Sequence, residues 1–117
     1  MIEELKSMGV NVDEALDRVM GDTDLYGMML GMFLSSLAEN PVEPGDFDGG
    51  NLDDVIRRVH TLKGVTGNLG ITPLFNGYNE MLGQLRGGQA REAKATFERI
   101  QPIQTKVVEC IKRHQGA

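Results

Sequence analysis

Residues 52–69, LDDVIRRVHTLKGVTGNL, decide the fold of this chain because apolar side chains recur in them at helical spacing. Side chains three and four residues apart lie on one face of an α-helix. We therefore expect a helix whose buried face is made by Leu52, Val55, Val59, Leu62, Thr66 and Leu69. Asn51 is a candidate N-cap, and Gly70 is expected to close the helix. His60 falls beside the buried face and is predicted to point outward.

Segments before this helix also have helical periodicity. Residues 12–20 predict a short leading helix with an acidic first turn, and Asp22 or Thr23 can cap a second one. The core stripe of that second helix is expected to contain Leu25, Met28, Met29, Met32, Phe33 and Leu37. Residues 40–51 are rich in proline and glycine and predict a surface loop.

Two further helices are predicted after Gly70. Thr72 followed by Pro73 marks the start of the first, which ends at Gly87 and Gly88. The last is expected from about residue 89 to about residue 113, with a kink or a boundary at Pro102. No segment alternates like a strand, so the chain is predicted to be all-α. We expect an antiparallel up-and-down four-helix bundle with a short additional N-terminal helix, in one domain spanning residues 1–117.

Charge and composition restrict the class of function. The 117 residues carry a formal net charge of −5, which argues against nucleic acid and anionic membranes as general partners. No segment approaches a membrane span, and the N-terminus has no signal-peptide pattern, so membrane insertion is not expected. Cys110 is the only cysteine, which fits a reducing compartment, and a cytoplasmic location is the default expectation.

His60 is the main candidate for chemistry. Lys63 and Gly64 lie one turn further along the same helical face, and Gly67 lies one turn beyond them. A neutral imidazole can accept and release a phosphoryl group, provided that a cation offsets the phosphate charge and small neighbours admit the donor. Arg57, Arg58 and Lys63 bracket His60 and make this region the positive area of an acidic chain.

This pattern resembles the histidine-containing phosphotransfer (HPt) domain signature, His-x-Leu-Lys-Gly followed by Leu-Gly. The matching residues are His60, Leu62, Lys63, Gly64, Gly67, Leu69 and Gly70. Similarity extends over nearly the whole chain, because residues 9–18 resemble the family's leading helix and residues 25–34 its second helix. Leu74 and the turn at residues 86–88 match the third and fourth bundle helices and their connection.

The resemblance implies a phosphoryl carrier in a two-component phosphorelay. His60 would accept a phosphoryl group from an aspartate on a response-regulator receiver domain and pass it to another receiver, within a relay that contains a hybrid sensor histidine kinase. Lys63 would stabilise the phosphoryl group, and receiver docking would involve Gly64, Gly67 and Arg57. The carrier would have no kinase activity and no cofactor of its own, because magnesium is expected on the receiver.

One position departs from the family pattern. The family often places glutamine or glutamate twenty-two residues after the histidine, where its side chain holds the imidazole, and here that residue is Leu82. Tyr78 and Asn79, earlier on the same predicted helix, are possible substitutes for orienting the ring.

Two other classes of function, an adaptor and a metal-binding bundle, are compatible with parts of the sequence. Leu82 is compatible with an adaptor that docks receivers without transferring phosphate. A metal-binding bundle would use His60, His114 and Cys110, of which Cys110 and His114 have a spacing that can bind a metal on a helix. The sequence shows no third or fourth ligand beside that pair, so no metal site is expected.

Overall fold

The computed structural model describes residues 1–50 and 52–115, and every regular element in those ranges is helical. The elements are α1 (Ile2–Ser7), α2 (Val12–Arg18), α3 (Thr23–Glu39), a 3₁₀ turn (Pro44–Phe47), α4 (Leu52–Asn68), α5 (Thr72–Arg86) and α6 (Ala90–Gln115). The all-α prediction is therefore confirmed for the described residues. None of the helices in those ranges is long and apolar enough to cross a membrane.

Helix α4 has the buried face that its periodicity predicts. Val55, Val59, Leu62 and Thr66 are buried, and Leu69 just beyond the helix is buried too. The Thr66 hydroxyl donates to the Leu62 carbonyl at 2.8 Å, so this polar group costs little inside the core. The predicted cap at residue 51 lies outside the described residues. The buried face orients the rest of the helix, and His60 is exposed as expected.

The C-terminal end of α4 is held by the helices that precede it. Gly70 has a φ of +72°, which turns the chain into α5, and its carbonyl accepts the Asn11 amide at 2.7 Å. The Arg18 guanidinium donates to the carbonyls of Gly67 and Asn68, at 3.2 and 2.9 Å. The Gly67 carbonyl also accepts the Gly70 amide at 3.2 Å, and the guanidinium gives the Asn68 carbonyl a partner that the end of a helix does not provide.

Helix α3 buries a different face from the one that the sequence indicated. Tyr26, Leu30 and Phe33 are buried, whereas Met28 is 68% and Met32 66% exposed. The predicted core position is therefore wrong for Leu25, Met28 and Met32, and it is confirmed for Phe33, while Met29 and Leu37 are partly buried against the core. The helix has apolar side chains on nearly every side, so its periodicity does not select one face. The rigid aromatic rings of Tyr26 and Phe33 lie in the core, and the flexible side chains of Met28 and Met32 lie outside it.

The two ends of the chain also differ from the sequence prediction. Helix α1 was not predicted, and it buries Leu5 against the rest of the protein. Helix α6 continues from Ala90 to Gln115 with Pro102 inside it, so a helix boundary at that proline is wrong. Proline removes one hydrogen bond from the ladder, but the apolar face on both sides of it stays buried and supports the helix.

Tyr26 gives the fold a predicted sensitivity to alkaline pH. Its buried hydroxyl donates to the Leu69 carbonyl at 2.9 Å, and burial raises its pKa from 10 to about 12. The unfolded chain would lose this proton near pH 10 and the folded chain only near pH 12. The stabilising contribution is therefore present below pH 10 and lost as the pH rises to 12, by about 1 to 2 kcal/mol. Denaturant unfolding from pH 9 to 12 should show a shallower decline in Tyr26→Phe; identical declines would contradict this assignment.

Candidate functional site

The candidate site is centred on His60, in the middle of α4. Its side chain is exposed, while its neighbours Val59 and Leu62 are buried and hold the helix against the core. No side chain or backbone group of residues 1–50 and 52–115 forms a hydrogen bond with the imidazole. The ring is therefore accessible and has no hydrogen-bond partner among the described residues, on a helix that is itself well anchored.

Lys63 lies three residues after His60 on α4, one turn further along the same face. Its side chain is half-buried, and its ammonium lies 6.0 Å from the centroid of the Phe75 ring. No carboxylate in the described part of the chain pairs with it. The aromatic face attracts the positive charge of the ammonium but does not cancel it. Lys63 can therefore offset negative charge on a group bound beside His60.

The two arginines before His60 are arranged differently from this lysine. Arg57 is exposed and pairs with Asp54 at 2.7 Å. Arg58 is only 14% exposed and holds the loop before α4, through the Pro41 carbonyl and an ion pair with Asp46 at 3.4 Å. Both arginines are thus paired with carboxylates, and Lys63 supplies most of the unpaired positive charge expected in this region. The proposed docking role of Arg57 stays a prediction.

The two glycines on the His60 face have different surroundings. A Cβ atom built on Gly64 would meet nothing within 4 Å among the described residues, so no packing contact there requires a glycine. A Cβ atom on Gly67 would lie 2.9 Å from the Phe75 ring. The close approach of α5 therefore accounts for Gly67, and its role in docking stays a prediction. Gly64, by contrast, leaves open space beside the histidine.

A cleft of about 510 Å³ extends from this face toward α2 and α5. Lys63, Gly64 and Gly67 line one side, and Arg18 and Phe75 line the others. The Arg18 guanidinium is already bonded to Glu14 and to the end of α4. Lys63 is therefore the cation of the cleft that has no carboxylate partner in the described ranges.

Tyr78 and Asn79 are the predicted partners of the imidazole. The Tyr78 hydroxyl is buried and donates to Gln104 of α6, and burial raises its pKa. The structure thus pairs Tyr78 with α6 and not with His60. Asn79 is exposed on α5, and Leu82 is buried in the core. A role for Asn79 in orienting the ring stays a prediction.

Sequence reasoning missed an apolar surface beside the histidine helix. Met29, Met32 and Ser36 of α3 line a groove with Val65 and Asn68 of α4. Asn68 also lines the cleft that contains Gly64, so the groove adjoins that cleft. The run of methionines is a usable signal for this surface, but its helical spacing favours a core position instead.

The structure also brings a third potential metal ligand to Cys110 and His114. Each of Glu4, Cys110 and His114 offers one ligand atom, and the three atoms lie within 4.8 Å of one another. Glu4 belongs to α1, more than a hundred positions before Cys110 in the sequence. A local sequence motif therefore could not predict that the three residues meet. His60 is not in this cluster, so the three residues of the alternative metal-binding hypothesis, His60, His114 and Cys110, are not brought together.

No protein-family model matches this chain, and no significant match is found among curated proteins or solved structures. The assignment of a function therefore depends on the residues and geometry of the site.

Proposed function

We propose that this chain is a histidine phosphotransfer protein of a two-component phosphorelay, in which His60 carries the phosphoryl group. The observation that carries the proposal is the combination, on one face of an anchored helix, of an exposed His60, a Lys63 that pairs with no carboxylate of the described ranges, and open space at Gly64. A phosphoryl carrier needs these features because its nucleophile must be approached by another protein.

The arrangement of helices supports a four-helix bundle made by α3 to α6. Helix α4 packs against α3 and α5, and α6 packs against α5 and α3, which is the set of neighbours expected in such a bundle. The Tyr26 hydroxyl bonds to the Leu69 carbonyl, and Met32 lines one groove with Val65, which supports an antiparallel course of α3 and α4. Helices α5 and α6 are joined by an ion pair between Glu80 and Arg99 and by a hydrogen bond from Tyr78 to Gln104. These two pairs support an antiparallel course of α5 and α6. This is the fold expected of an HPt domain.

The proposed reaction is a transfer between an aspartyl phosphate and an imidazole. A neutral ring nitrogen of His60 attacks phosphorus, the phosphorus–nitrogen bond forms, and the bond to the receiver's aspartate oxygen breaks. The carboxylate leaves with the bonding electron pair, and the ring proton is released to solvent. The receiver provides magnesium at its own acidic site, where the ion offsets charge on the phosphoryl oxygens. Lys63 would approach those oxygens from the carrier's side.

Receiver domains are the proposed partners, both in a hybrid sensor histidine kinase and in a response regulator. The groove lined by Met29, Met32 and Val65 gives such a partner an apolar surface on the helix that carries His60. Methionine side chains adapt their shape to different partners, which suits a carrier that contacts two receivers in turn. We propose that this exchange takes place in the cytoplasm, without kinase activity of the chain itself.

The transfer assay tests the proposal directly. Receiver domains labelled at their aspartate are incubated with this protein, and the label on each chain is followed with time. We expect label on this protein that is stable in base and labile in acid, as a phosphoramidate is. Binding without labelling would support an adaptor instead, and neither binding nor labelling with any receiver of the same genome would refute the proposal.

Gly64→Ala should separate stability from transfer. Alanine in an exposed helix position without a nearby atom is expected to raise the free energy of unfolding by about 0.5 to 1 kcal/mol. The added methyl group enters the space where a receiver would approach, so transfer should slow by about tenfold, equivalent to roughly 1.4 kcal/mol of docking. Urea unfolding and the transfer rate measure the two effects.

Gly27→Ala is the matched control for this variant. Gly27 also lies inside a helix, and a Cβ atom there meets nothing within 4 Å in the described part of the chain. Gly31, one turn later, approaches Gln115 of α6, so this side of α3 faces α6 and not α4. The control should gain similar stability and keep the wild-type transfer rate. Equal transfer rates in both variants would contradict the docking role of Gly64.

A further inference from the structure

The N-terminal helix meets the end of the C-terminal helix through side chains that the proposed function does not use. Glu4 is in the middle of α1, and Cys110 and His114 are one turn apart on α6. We propose that Glu4, Cys110 and His114 form a zinc-binding site that fastens α1 to α6. The site is independent of phosphotransfer.

The distances among the three ligand atoms suit a single small cation. One carboxylate oxygen, the thiol sulfur and one imidazole nitrogen lie within 4.8 Å of one another. Zinc bonds are about 2.3 Å to sulfur and about 2.0 to 2.2 Å to nitrogen and oxygen, so ligand atoms around one ion are roughly 3.3 to 3.8 Å apart. The ligand atoms must therefore move about 1 Å closer together, which side-chain rotation can provide. Glu4 and His114 are not fully buried and can make this movement.

The orientation of Glu4 leaves one oxygen for a metal. Its Oε2 atom accepts from Arg113, while its Oε1 atom lies 3.8 Å from Nε2 of His114. A ligating carboxylate is commonly hydrogen-bonded through its second oxygen, which fixes its direction. Arg113 would keep this supporting role when Oε1 binds the ion. A metal ion can therefore bind Oε1 of Glu4 without breaking the hydrogen bond between Arg113 and Oε2.

The donor set indicates zinc in preference to calcium or magnesium. A thiolate and an imidazole are poor ligands for those hard cations, whereas zinc accepts sulfur, nitrogen and oxygen together. Cys110 is fully buried, so its thiolate would be shielded from solvent once bound. On binding, the thiol proton is released to solvent and a sulfur–zinc bond forms. Water would complete four-coordination on the exposed side, next to His114.

Cobalt substitution and thermal unfolding of the full chain test this site. Metal-free protein titrated with Co²⁺ should give a thiolate-to-cobalt charge-transfer band together with the visible bands of tetrahedral cobalt, and Zn²⁺ should remove both. Zinc at a hundred times its Kd should raise Tm by about 10 °C. Cys110→Ser and Glu4→Gln should weaken binding at least tenfold, and Cys110→Ser should abolish the charge-transfer band.

His114→Gln keeps the test decisive, because this exposed side chain can be replaced without disturbing the core. It should lose most of the zinc-dependent rise in Tm while its metal-free Tm stays near that of the wild type. His60→Gln, which changes the other histidine, should bind zinc normally. Absence of the charge-transfer band, or equal zinc responses in wild type and His114→Gln, would show that the three residues form only an ion-pair cluster.

Discussion

His60→Gln is expected to receive no phosphoryl group from any receiver domain that labels the wild-type protein. Glutamine retains polar character and similar size, but it has no nucleophilic ring nitrogen. Removal of a covalent nucleophile costs at least about 10³-fold in rate, so labelling should fall below detection. The labelled receiver should meanwhile lose its phosphate no faster than it does alone.

The fold of this variant should be unchanged. His60 is exposed, and its imidazole forms no hydrogen bond in the described part of the chain, so circular dichroism and Tm should match the wild type. His114→Gln is the matched control, because it removes the other histidine and leaves His60 in place. Its labelling should equal that of the wild type. Base-stable label that persists in His60→Gln would move the phosphorylated residue elsewhere and refute the assignment.

Gly70→Ala should produce the largest loss of stability among the variants considered. A Cβ atom at this position would overlap the Asn11 carbonyl oxygen and lie 3.1 Å from its carbonyl carbon. The backbone there also has a φ of +72°, which costs an L-residue about 1 to 2 kcal/mol. Because Asn11 presents backbone, the clash can be relieved only by moving the start of α2. We expect the free energy of unfolding to fall by about 3 to 5 kcal/mol.

Gly88→Ala separates the clash from the backbone strain. Gly88 has a φ of +74°, nearly the same as Gly70, but its Cβ atom would have no described atom within 4 Å. Its substitution should cost only about 1 to 2 kcal/mol, the strain alone. Chemical unfolding of both variants gives the comparison. Equal losses in the two would show that the contact between Gly70 and Asn11 contributes nothing beyond strain.

The helices were predictable from sequence where one face is clearly more apolar than the other. In α4, polar and charged residues separate Val55, Val59 and Leu62, so the buried face follows from spacing alone. In α3, apolar residues surround the helix, and only packing shows that Tyr26 and Leu30 are inside and Met32 is not. Helix α1 has a single fully buried side chain, too weak a pattern to predict.

The candidate site was predictable to the extent that it is local. The spacing of His60, Lys63 and Gly64 along one helix is enough by itself to place them on one face. The contact of Gly67 with Phe75, and that of Glu4 with Cys110, join different helices, and no sequence spacing reports them. Leu82 offers the imidazole no polar partner, as its residue type predicts, and its side chain is buried in the core.

The bonds from Arg18 to the end of α4 imply an order of events during folding. They join residues 49 and 50 positions apart, whereas α4 and α5 are connected by only three residues and can associate quickly. The hairpin of α4 and α5 should therefore form early, with the final turn of α4 still loose. Docking of α2 should then complete that turn, so we expect the helix that carries His60 to reach its full length only when the N-terminal part of the chain has folded onto it.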